Sequence, residues 1–405
     1  MNYDSKRWIF LILCILMNAC AGILYAWSVF QKPLVALTKA TPAEVSLSFT
    51  FMLSLGAFLP IIVGKALDYV QPRVVLVSGG VLLGGGLIGL SCVESLMQLY
   101  IFATLTGFGI AVVYPGGTVS NMVQFFPDKR GLAAGLLTAG ASLGAIAWAP
   151  AAVFLIEEYG VLSTFKWIGM TIFVVICAAG ALIEKVPKDY RPEGMVIPRG
   201  SQQTAAGNAV DMNWVEMLKS PLFYLVAGVF LGGAISGMMI IGYVSPIAQD
   251  ILNLTPQAAA GVVALLAVAN TTGRFCWGWL SDKIGRFAVM YILLTLGVLA
   301  MTGLSMASAY VIFVGLVMLI GLCYGGFLAL MAPFTAELFG AKNLGVNFGI
   351  MFLTVGLGAF VGPRLAAVIK ATNNDYTQAF IIAALFNVTG IVLITAAHFY
   401  KKRRQ

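Results

Sequence analysis

The stretch that decides the fold occurs twice, first as Gly64-Lys65-Ala66-Leu67-Asp68-Tyr69-Val70-Gln71-Pro72-Arg73 and again as Gly278-Trp279-Leu280-Ser281-Asp282-Lys283-Ile284-Gly285-Arg286. A shift of 214 residues superposes Gly64 on Gly278 and Asp68 on Asp282 without a gap. The same shift aligns four further pairs: Gly107 with Gly321, Gly131 with Gly345, Gly135 with Gly349 and Gly144 with Gly358. Repeated matches at one offset indicate an internal duplication. The sequence therefore predicts two halves related by a parallel repeat.

The composition places both halves in a membrane. Of the 405 residues, 60% are hydrophobic and 10% are charged, and the mean hydropathy is +0.94, which is far outside the range of soluble domains. Residues 8–30 are long enough to cross roughly 30 Å of hydrocarbon and lack a small-x-small cleavage site, so they predict a transmembrane helix and not a cleaved signal peptide. Twelve such apolar runs (spans 1 to 12) occur at 8–30, 45–67, 74–93, 97–123, 132–156, 164–184, 221–247, 257–280, 287–307, 310–334, 345–369 and 377–399.

These runs predict an all-α membrane protein with twelve transmembrane helices in two six-helix bundles. The expected domains are residues 1–184, a cytosolic linker at 185–220, and residues 221–405 with a basic cytosolic tail. With the N-terminus in the cytosol, eighteen of the twenty-four Lys and Arg residues fall at the two ends and in the even-numbered gaps. The positive-inside rule therefore predicts that both termini are cytosolic. The net charge of +8 follows from this topology and does not indicate nucleic-acid binding.

One cation has no visible partner. Arg274 lies deep in span 8, with Asn270 one helical turn away and no carboxylate in the same segment. Burying a charged side chain in a bilayer costs several kcal/mol unless something neutralises it. The sequence therefore indicates that the missing partner is the cargo, a small carboxylate. Arg364 in span 11 is a rival, but it lies only six residues before Lys370, near a membrane interface that its side chain can reach.

Phenolic side chains are the candidates for the rest of this site. Tyr25 in span 1, Tyr114 in span 4 and Tyr324 in span 10 can hydrogen-bond a carboxylate while their rings shape an apolar slot. Repeat transporters place substrate near the bilayer midplane between the halves, and this predicts alternating access. A membrane enzyme would need clustered His, Cys, Asp or Glu at depth, which the sequence lacks. A sensor that binds a ligand without moving it is left open by the fold alone.

The duplicated stretch resembles the Gly-xxx-Asp and Gly-Arg pattern in the cytosolic loops of the major facilitator superfamily. Glycine there lets two helices approach, and Asp followed by basic residues can form an ion pair at a helix end. The first copy departs from the pattern with Gln71-Pro72. The resemblance implies a conformational latch, formed by Gly64, Asp68, Arg73, Gly278, Asp282 and Arg286.

Four further stretches resemble the bacterial oxalate:formate antiporter branch and the wider monocarboxylate transporter family: Gly22 to Ser28, Phe125 to Gly135, Met217 to Pro221 and Gly273 to Arg286. The resemblance implies that Arg274 binds the substrate carboxylate and that Tyr25 and Tyr114 line the cavity. It also implies a location in the bacterial inner membrane. Tyr324 stands where the oxalate exchanger has a tryptophan.

Departures from the resemblance bear on the substrate. Val355 stands where the oxalate exchanger has a second cavity cation, so one positive charge is left, which suits a monoanion. Leu24 and Leu328 replace polar cavity side chains, which favours an acid with a small organic tail, such as lactate or pyruvate. Asn270 replaces an aspartate of the eukaryotic transporters, which leaves the proton route open.

The sequence thus predicts a secondary active transporter of small monocarboxylates, with proton-coupled symport as the main hypothesis and carboxylate exchange as the alternative. Its partners are the acid, a co-transported proton and the lipid bilayer; no cofactor, metal, nucleic-acid or protein partner is predicted. Glu337, at the end of span 10, is the only acidic candidate near the membrane for carrying the proton.

Overall fold

A computed structural model describes residues 3–126, 130–187, 211–340 and 343–404, and these ranges are almost entirely helical, without a β-strand. In the first half the helices are Tyr3–Ala21, Ile23–Ala26, Trp27–Phe30, Gln31–Thr38, Pro42–Ser54, Leu59–Tyr69, Pro72–Leu90, Leu96–Ala111, Val112–Gly117, Thr118–Phe125 and Arg130–Ala181. A short helix, Trp214–Lys219, precedes the second half. The second half contains Pro221–Leu252, Pro256–Ile284, Arg286–Leu304, Tyr310–Phe339, Leu344–Asn373 and Thr377–Arg404.

Ten helices of the described residues are long and apolar enough to cross a membrane, and they hold eleven of the twelve predicted spans, all except span 2. The segment Gly135–Ala181 is 47 residues long, about 70 Å of helix and twice the hydrocarbon thickness. It breaks at Gly160, where φ is 78° and ψ is 165°, so it holds spans 5 and 6. Span 2 consists of Pro42–Ser54 and Leu59–Tyr69, each too short to cross alone. The predicted fold class is confirmed; the linker boundaries stay a prediction, because residues 188–210 lie outside the described ranges.

Span 1 is interrupted, where the sequence predicted a continuous helix over 8–30. The first helix ends at Ala21, Ile23–Ala26 forms a separate turn, and Trp27–Phe30 is a 3₁₀ helix before the chain continues to Thr38. At the first break, a Cβ on Gly22 would stand 2.2 Å from the carbonyl oxygen of Ala141 in span 5. Only glycine permits spans 1 and 5 to approach this closely.

Span 4 is also interrupted, because of its sequence. Tyr114 has extended backbone angles (φ −132°, ψ 127°) inside the π-helical segment Val112–Gly117. The next residue is Pro115, which lacks a backbone N–H and disfavours helical angles in the residue before it. The backbone N–H and the hydroxyl of Thr118 both donate to the Val113 carbonyl, the hydroxyl at 3.0 Å, so this carbonyl stays paired beside the break.

The two bundles pack internally and against each other. Span 1 packs on span 5, and span 3 on spans 4 and 6; in the second half span 7 packs on spans 11 and 12, and span 8 on span 10. Contacts between the halves run from span 5 to span 8 and from span 2 to span 11. At the centre, side chains and backbone groups of spans 1, 4 and 5 of the first half meet those of spans 7, 8 and 10 of the second.

Asp250 gathers charges from both halves at one end of the molecule, here called the Lys32 end. Lys32 of span 1 pairs with the Asp250 carboxylate at 2.5 Å, and Lys370 lies 3.6 Å from its other oxygen. The Tyr376 hydroxyl donates to that second oxygen at 2.8 Å. Burial, and then the negative charge of Asp250, raise the pKa of the Tyr376 phenol, so it keeps the proton that it donates.

Three further hydrogen bonds join the halves toward the Lys32 end. Ser54 donates to the Gly356 carbonyl at 2.7 Å, Thr50 donates to the Ala359 carbonyl at 3.4 Å, and the Gln257 carboxamide donates to Glu157. The opposite end carries Asp282 and is called the Asp282 end. There the pairs of Arg286 and Lys401 with Glu337, at 2.6 and 2.7 Å, stay within the second half. The structure therefore has its halves clamped together at the Lys32 end.

Candidate binding site around Arg274

Arg274 reaches across the centre of the molecule from span 8 into the first half. Its Nη1 donates to the Tyr114 hydroxyl at 3.0 Å and to the Thr138 carbonyl at 2.9 Å. Its Nη2 donates to the Tyr25 hydroxyl at 2.9 Å. The side chain is buried, at 9% exposure. No carboxylate oxygen of the described residues lies within 4.0 Å of the guanidinium, so this charge has only neutral partners.

The two phenols come from the interrupted helices. Tyr25 lies in the single turn Ile23–Ala26, and Tyr114 is the residue with extended angles in span 4. Broken helices at membrane depth are tolerated where they line a cavity, and they recur at the substrate sites of transporters. In an uninterrupted helix, the directions of these side chains would be set by the regular repeat of 3.6 residues per turn. The two breaks aim both hydroxyls at the same guanidinium.

The guanidinium has hydrogen-bonding capacity left. Arg274 carries five N–H donors, and the described contacts use three of them. The Nε atom is buried and has no partner among the described residues. Leaving a buried charged donor unpaired costs free energy. A carboxylate accepts two parallel hydrogen bonds from a guanidinium, so an added carboxylate would complete this site.

Asn270 connects the halves one turn away from Arg274. Its Oδ1 accepts a hydrogen bond from Ser142 of span 5 at 3.1 Å, and its Nδ2 donates to the Gly321 carbonyl at 3.4 Å. Asn270 and Ser142 are both fully buried. The carboxamide is thus engaged with protein groups in this conformation, and its role as a substrate ligand stays a prediction.

The sequence reasoning missed Thr138 and Ser142. They lie four residues apart in span 5, so both face the same side of the helix. Thr138 contributes its backbone carbonyl to Arg274, which no side-chain pattern can reveal. The hydroxyl of Ser142 could have been suspected, because polar side chains in membrane helices usually face the bundle interior.

Tyr324 lies in span 10 with its ring against span 7. A Cβ on Gly237 would stand 2.2 Å from the Tyr324 ring, so glycine makes room for this aromatic side chain. The phenol is close enough to Arg274 and Tyr25 to interact with both electrostatically. Tyr324 therefore belongs to the same central group of residues as Tyr25 and Tyr114.

The three apolar candidates, Leu24, Leu328 and Val355, belong to the hydrophobic core or pack against it. Leu24 and Leu328 are half-buried and pack against it, and Val355 is buried within it. Contact of these three with substrate stays a prediction. Arg364, the rival cation, has an exposed side chain. It is therefore not a second buried guanidinium.

Glycines position span 8 around Arg274. A Cβ on Gly273 would stand 2.1 Å from the Leu322 carbonyl oxygen, and a Cβ on Gly325 would stand 2.1 Å from the Asn270 carbonyl oxygen. Spans 8 and 10 thus pack backbone against backbone at the depth of the site. In a bilayer, such contacts between small residues supply much of the helix association.

The predicted latch residues lie at the Asp282 end. A Cβ on Gly64 or Gly278 would meet nothing within 4 Å, so the close helix approach expected at these glycines is absent in this conformation. Arg286 lies 3.9 Å from Asp282, whose side chain is 75% exposed, and binds Glu337 more closely. Arg73 is exposed, and the Asp68 side chain lies outside the described residues. The latch function stays a prediction.

Comparisons with known proteins agree with this architecture. The family model described as Major Facilitator Superfamily matches residues 7–312 and 234–405. The chain is 29% identical to the MFS-type transporter YhjX of Escherichia coli K12, over 88% of this chain and 87% of that protein. It is 27% identical to the oxalate:formate antiporter of Oxalobacter formigenes, over 96% and 91% of the two chains. It is also 27% identical to monocarboxylate transporter 13 of Rattus norvegicus, over 94% and 86%.

A solved structure shows the same fold. It is a bacterial homologue of the human lysosomal transporter Spinster in an inward-facing, unoccupied conformation, with a TM-score of 0.74 at 15% identity, over 98% of this chain and 97% of that one. The relatives are transporters and not enzymes, and they handle small molecules in a lipid bilayer. With the family model covering both halves, the chain belongs to the Major Facilitator Superfamily and is a membrane transporter.

Proposed function

We propose that this transporter carries small monocarboxylates, of the lactate or pyruvate kind, by alternating access. The observation that carries the proposal is the buried guanidinium of Arg274, which binds two phenols and a carbonyl and has no acidic partner among the described residues. An anion bound there would neutralise the charge and use the free Nε donor. The names of two relatives, an oxalate:formate antiporter and a monocarboxylate transporter, support the carboxylate class.

The charge of the site favours a monoanion. Only one buried cation, Arg274, is found in the central part of the described chain, since Val355 occupies the position expected for a second one and Arg364 is exposed. A dianion would bring one charge without a partner, which is costly in a low-dielectric site. Leu24 and Leu328 add apolar surface for an organic tail, so lactate fits this environment better than oxalate.

The bonds of Arg274 suggest how binding is linked to movement. The guanidinium belongs to the second half, while Tyr25, Tyr114 and the Thr138 carbonyl belong to the first. These bonds must rearrange when the halves rock against each other. A bound carboxylate can take up the N–H groups that the first half releases, so it lowers the cost of the transition. The six latch residues would close the Asp282 end when the Lys32 end opens. They are Gly64, Asp68, Arg73, Gly278, Asp282 and Arg286.

Two modes of coupling are proposed, in order. Proton symport is the main one, with both termini in the cytosol of a bacterial inner membrane. Exchange of carboxylates is the alternative, and it is favoured by one observation: the candidate proton carrier Glu337 is bound by Arg286 and Lys401, away from Arg274. A carboxylate held by two cations stays ionised more readily than a free one.

Flux into liposomes tests the proposal. The purified full chain is reconstituted, and uptake of labelled lactate is followed with and without an inward proton gradient and with and without internal lactate. Accumulation driven by the gradient alone indicates symport, and uptake only with internal anion indicates exchange. Arg274→Ala should abolish uptake in both formats, while Arg364→Ala, its exposed counterpart, should retain it. Saturable binding without any flux would instead identify a sensor, and unimpaired uptake by Arg274→Ala would refute the site.

A further inference from the structure

Span 1 carries buried polar atoms that no described residue satisfies. Gln31 is 1% exposed, and neither its Oε1 nor its Nε2 has a hydrogen-bond partner among the described residues. Ser28 is likewise 1% exposed, and its hydroxyl has no partner in the described chain. Each unsatisfied buried group costs about 1–3 kcal/mol. Such groups in a folded protein call for an explanation, such as a ligand or water site.

The other buried amides with unpartnered atoms in the described chain, Asn347 and Asn387, lack a partner only at Oδ1, since their Nδ2 atoms donate to protein groups. Asn18 donates to the Leu137 carbonyl at 2.9 Å and accepts from Thr118 at 2.8 Å. Asn270 also uses both ends of its carboxamide. Gln31 is as buried as these two, yet both of its polar atoms are free. The difference indicates a group that is kept for something other than stability.

The 3₁₀ segment places Ser28 and Gln31 in one row with Tyr25. Trp27–Phe30 has 3₁₀ geometry, in which side chains three residues apart eclipse one another. Tyr25 and Gln31 flank this segment, each three residues from Ser28, so the three side chains lie on roughly the same side of span 1. Tyr25 binds Arg274 at one end of the row. At the other end, Lys32, next to Gln31, pairs with Asp250.

The row from Tyr25 to Gln31 is long enough to connect two binding positions. From Tyr25 to Gln31 the rise along the helix is about 9–12 Å, at 1.5–2.0 Å per residue. That distance covers the region between the central site and the ion pair at the Lys32 end. A molecule that enters when Lys32 separates from Asp250 would meet Gln31 first, Ser28 next and Arg274 last.

We infer that Gln31 and Ser28 form a second subsite, on the Lys32 side of Arg274, that holds the carboxyl group of the transported acid before it reaches the guanidinium; this rests on the proposed function. The chemistry of the carboxamide determines which form of the acid it takes. Gln31 offers one acceptor and a donor side by side and carries no charge. A protonated carboxyl group pairs with both at once, whereas a carboxylate can only accept. The subsite is therefore selective for the neutral, protonated acid.

The test compares transport from the two faces. Labelled lactate uptake is measured in intact cells that expose the Lys32 end and in inside-out vesicles that expose the Asp282 end. Gln31→Met keeps the length of the side chain and removes its hydrogen bonds. It should raise the KM for lactate about tenfold at the Lys32 face and less than about twofold at the opposite face, as expected for about 1.4 kcal/mol of lost binding. The matched control is Gln249→Met, since Gln249 lies in the helix Pro221–Leu252 toward the same end but is bonded to Ser245.

Stability and pH separate a subsite from a structural role. Because Gln31 loses no described protein bond, Gln31→Met should unfold at or above the wild-type temperature, and Ser28→Ala should behave alike with a smaller change in KM. The advantage of wild type over Gln31→Met at the Lys32 face should grow as the pH there is lowered, because more of the acid is protonated.

Several results would overturn the inference. An equal change of KM at both faces, an unchanged KM, or an advantage that does not depend on pH would each exclude a face-specific subsite for the protonated acid. A marked loss of stability with unchanged KM would show that the two residues hold only structural water. Failure of the function itself looks different: wild type would then show no lactate uptake at either face, and the subsite would fall with it.

Discussion

Replacing Arg274 by lysine keeps the charge and changes the geometry, so it tests the hydrogen-bonding role of the guanidinium. Arg274 already spends three N–H groups on Tyr25, Tyr114 and the Thr138 carbonyl. It has two left for a carboxylate, one of them on the unpartnered Nε. A lysine ammonium has three N–H donors on one atom and cannot serve all of these partners. At least one charge-assisted bond to the substrate is lost, which is about 1.5–3 kcal/mol.

That loss corresponds to a dissociation constant about 10- to 150-fold larger for Arg274→Lys. The assay is equilibrium binding of labelled lactate to the detergent-purified protein, together with lactate counterflow in liposomes, which does not depend on the coupling ion. Arg364→Lys makes the same chemical change at an exposed arginine of span 11, and it should bind within about twofold of wild type. A dissociation constant for Arg274→Lys within threefold of wild type, or a larger loss for Arg364→Lys, would refute the bidentate site.

Three further changes follow from the structure. Tyr25→Phe and Tyr114→Phe should each weaken lactate binding about tenfold, because each removes one bond to a charged group; equal affinity in the calorimeter would contradict this. Gly273→Ala should destabilise the protein by about 1–3 kcal/mol, since its Cβ would meet a carbonyl oxygen at 2.1 Å, whereas Gly278→Ala, which has open space, should not lower the unfolding temperature. Asp250→Asn should weaken the pair with Lys32, which is partly exposed, by at most about 1 kcal/mol. Spin labels on spans 1 and 7 should then report a larger population open at the Lys32 end, and an unchanged distance distribution would show that this pair does not hold the end closed.

The long helices of the second half follow directly from the sequence. Spans 7 to 12 were predicted from apolar runs alone, and each is found within a few residues of its predicted position. This succeeds because a bilayer requires every backbone group to be paired within its own segment, so about 20 apolar residues must be a helix. The breaks in spans 1 and 4 were not predicted in this way. A hydropathy average is taken over a window of residues, so it does not show where Gly22 or Pro115 interrupts the backbone hydrogen bonds of a helix.

The sequence by itself determined that the protein is a duplicated twelve-span membrane protein and that Arg274 is a cation in an apolar span, 257–280, that contains no acid. Both conclusions depend only on composition and spacing along one chain. Only the tertiary structure decided which groups surround that cation. The Thr138 carbonyl belongs to the backbone, and Ser142 meets Asn270 across 128 residues of sequence. Gln31 is distinctive because no described residue forms a hydrogen bond with its side chain. Such contacts depend on how helices from two halves are placed in space, and no local pattern encodes that placement.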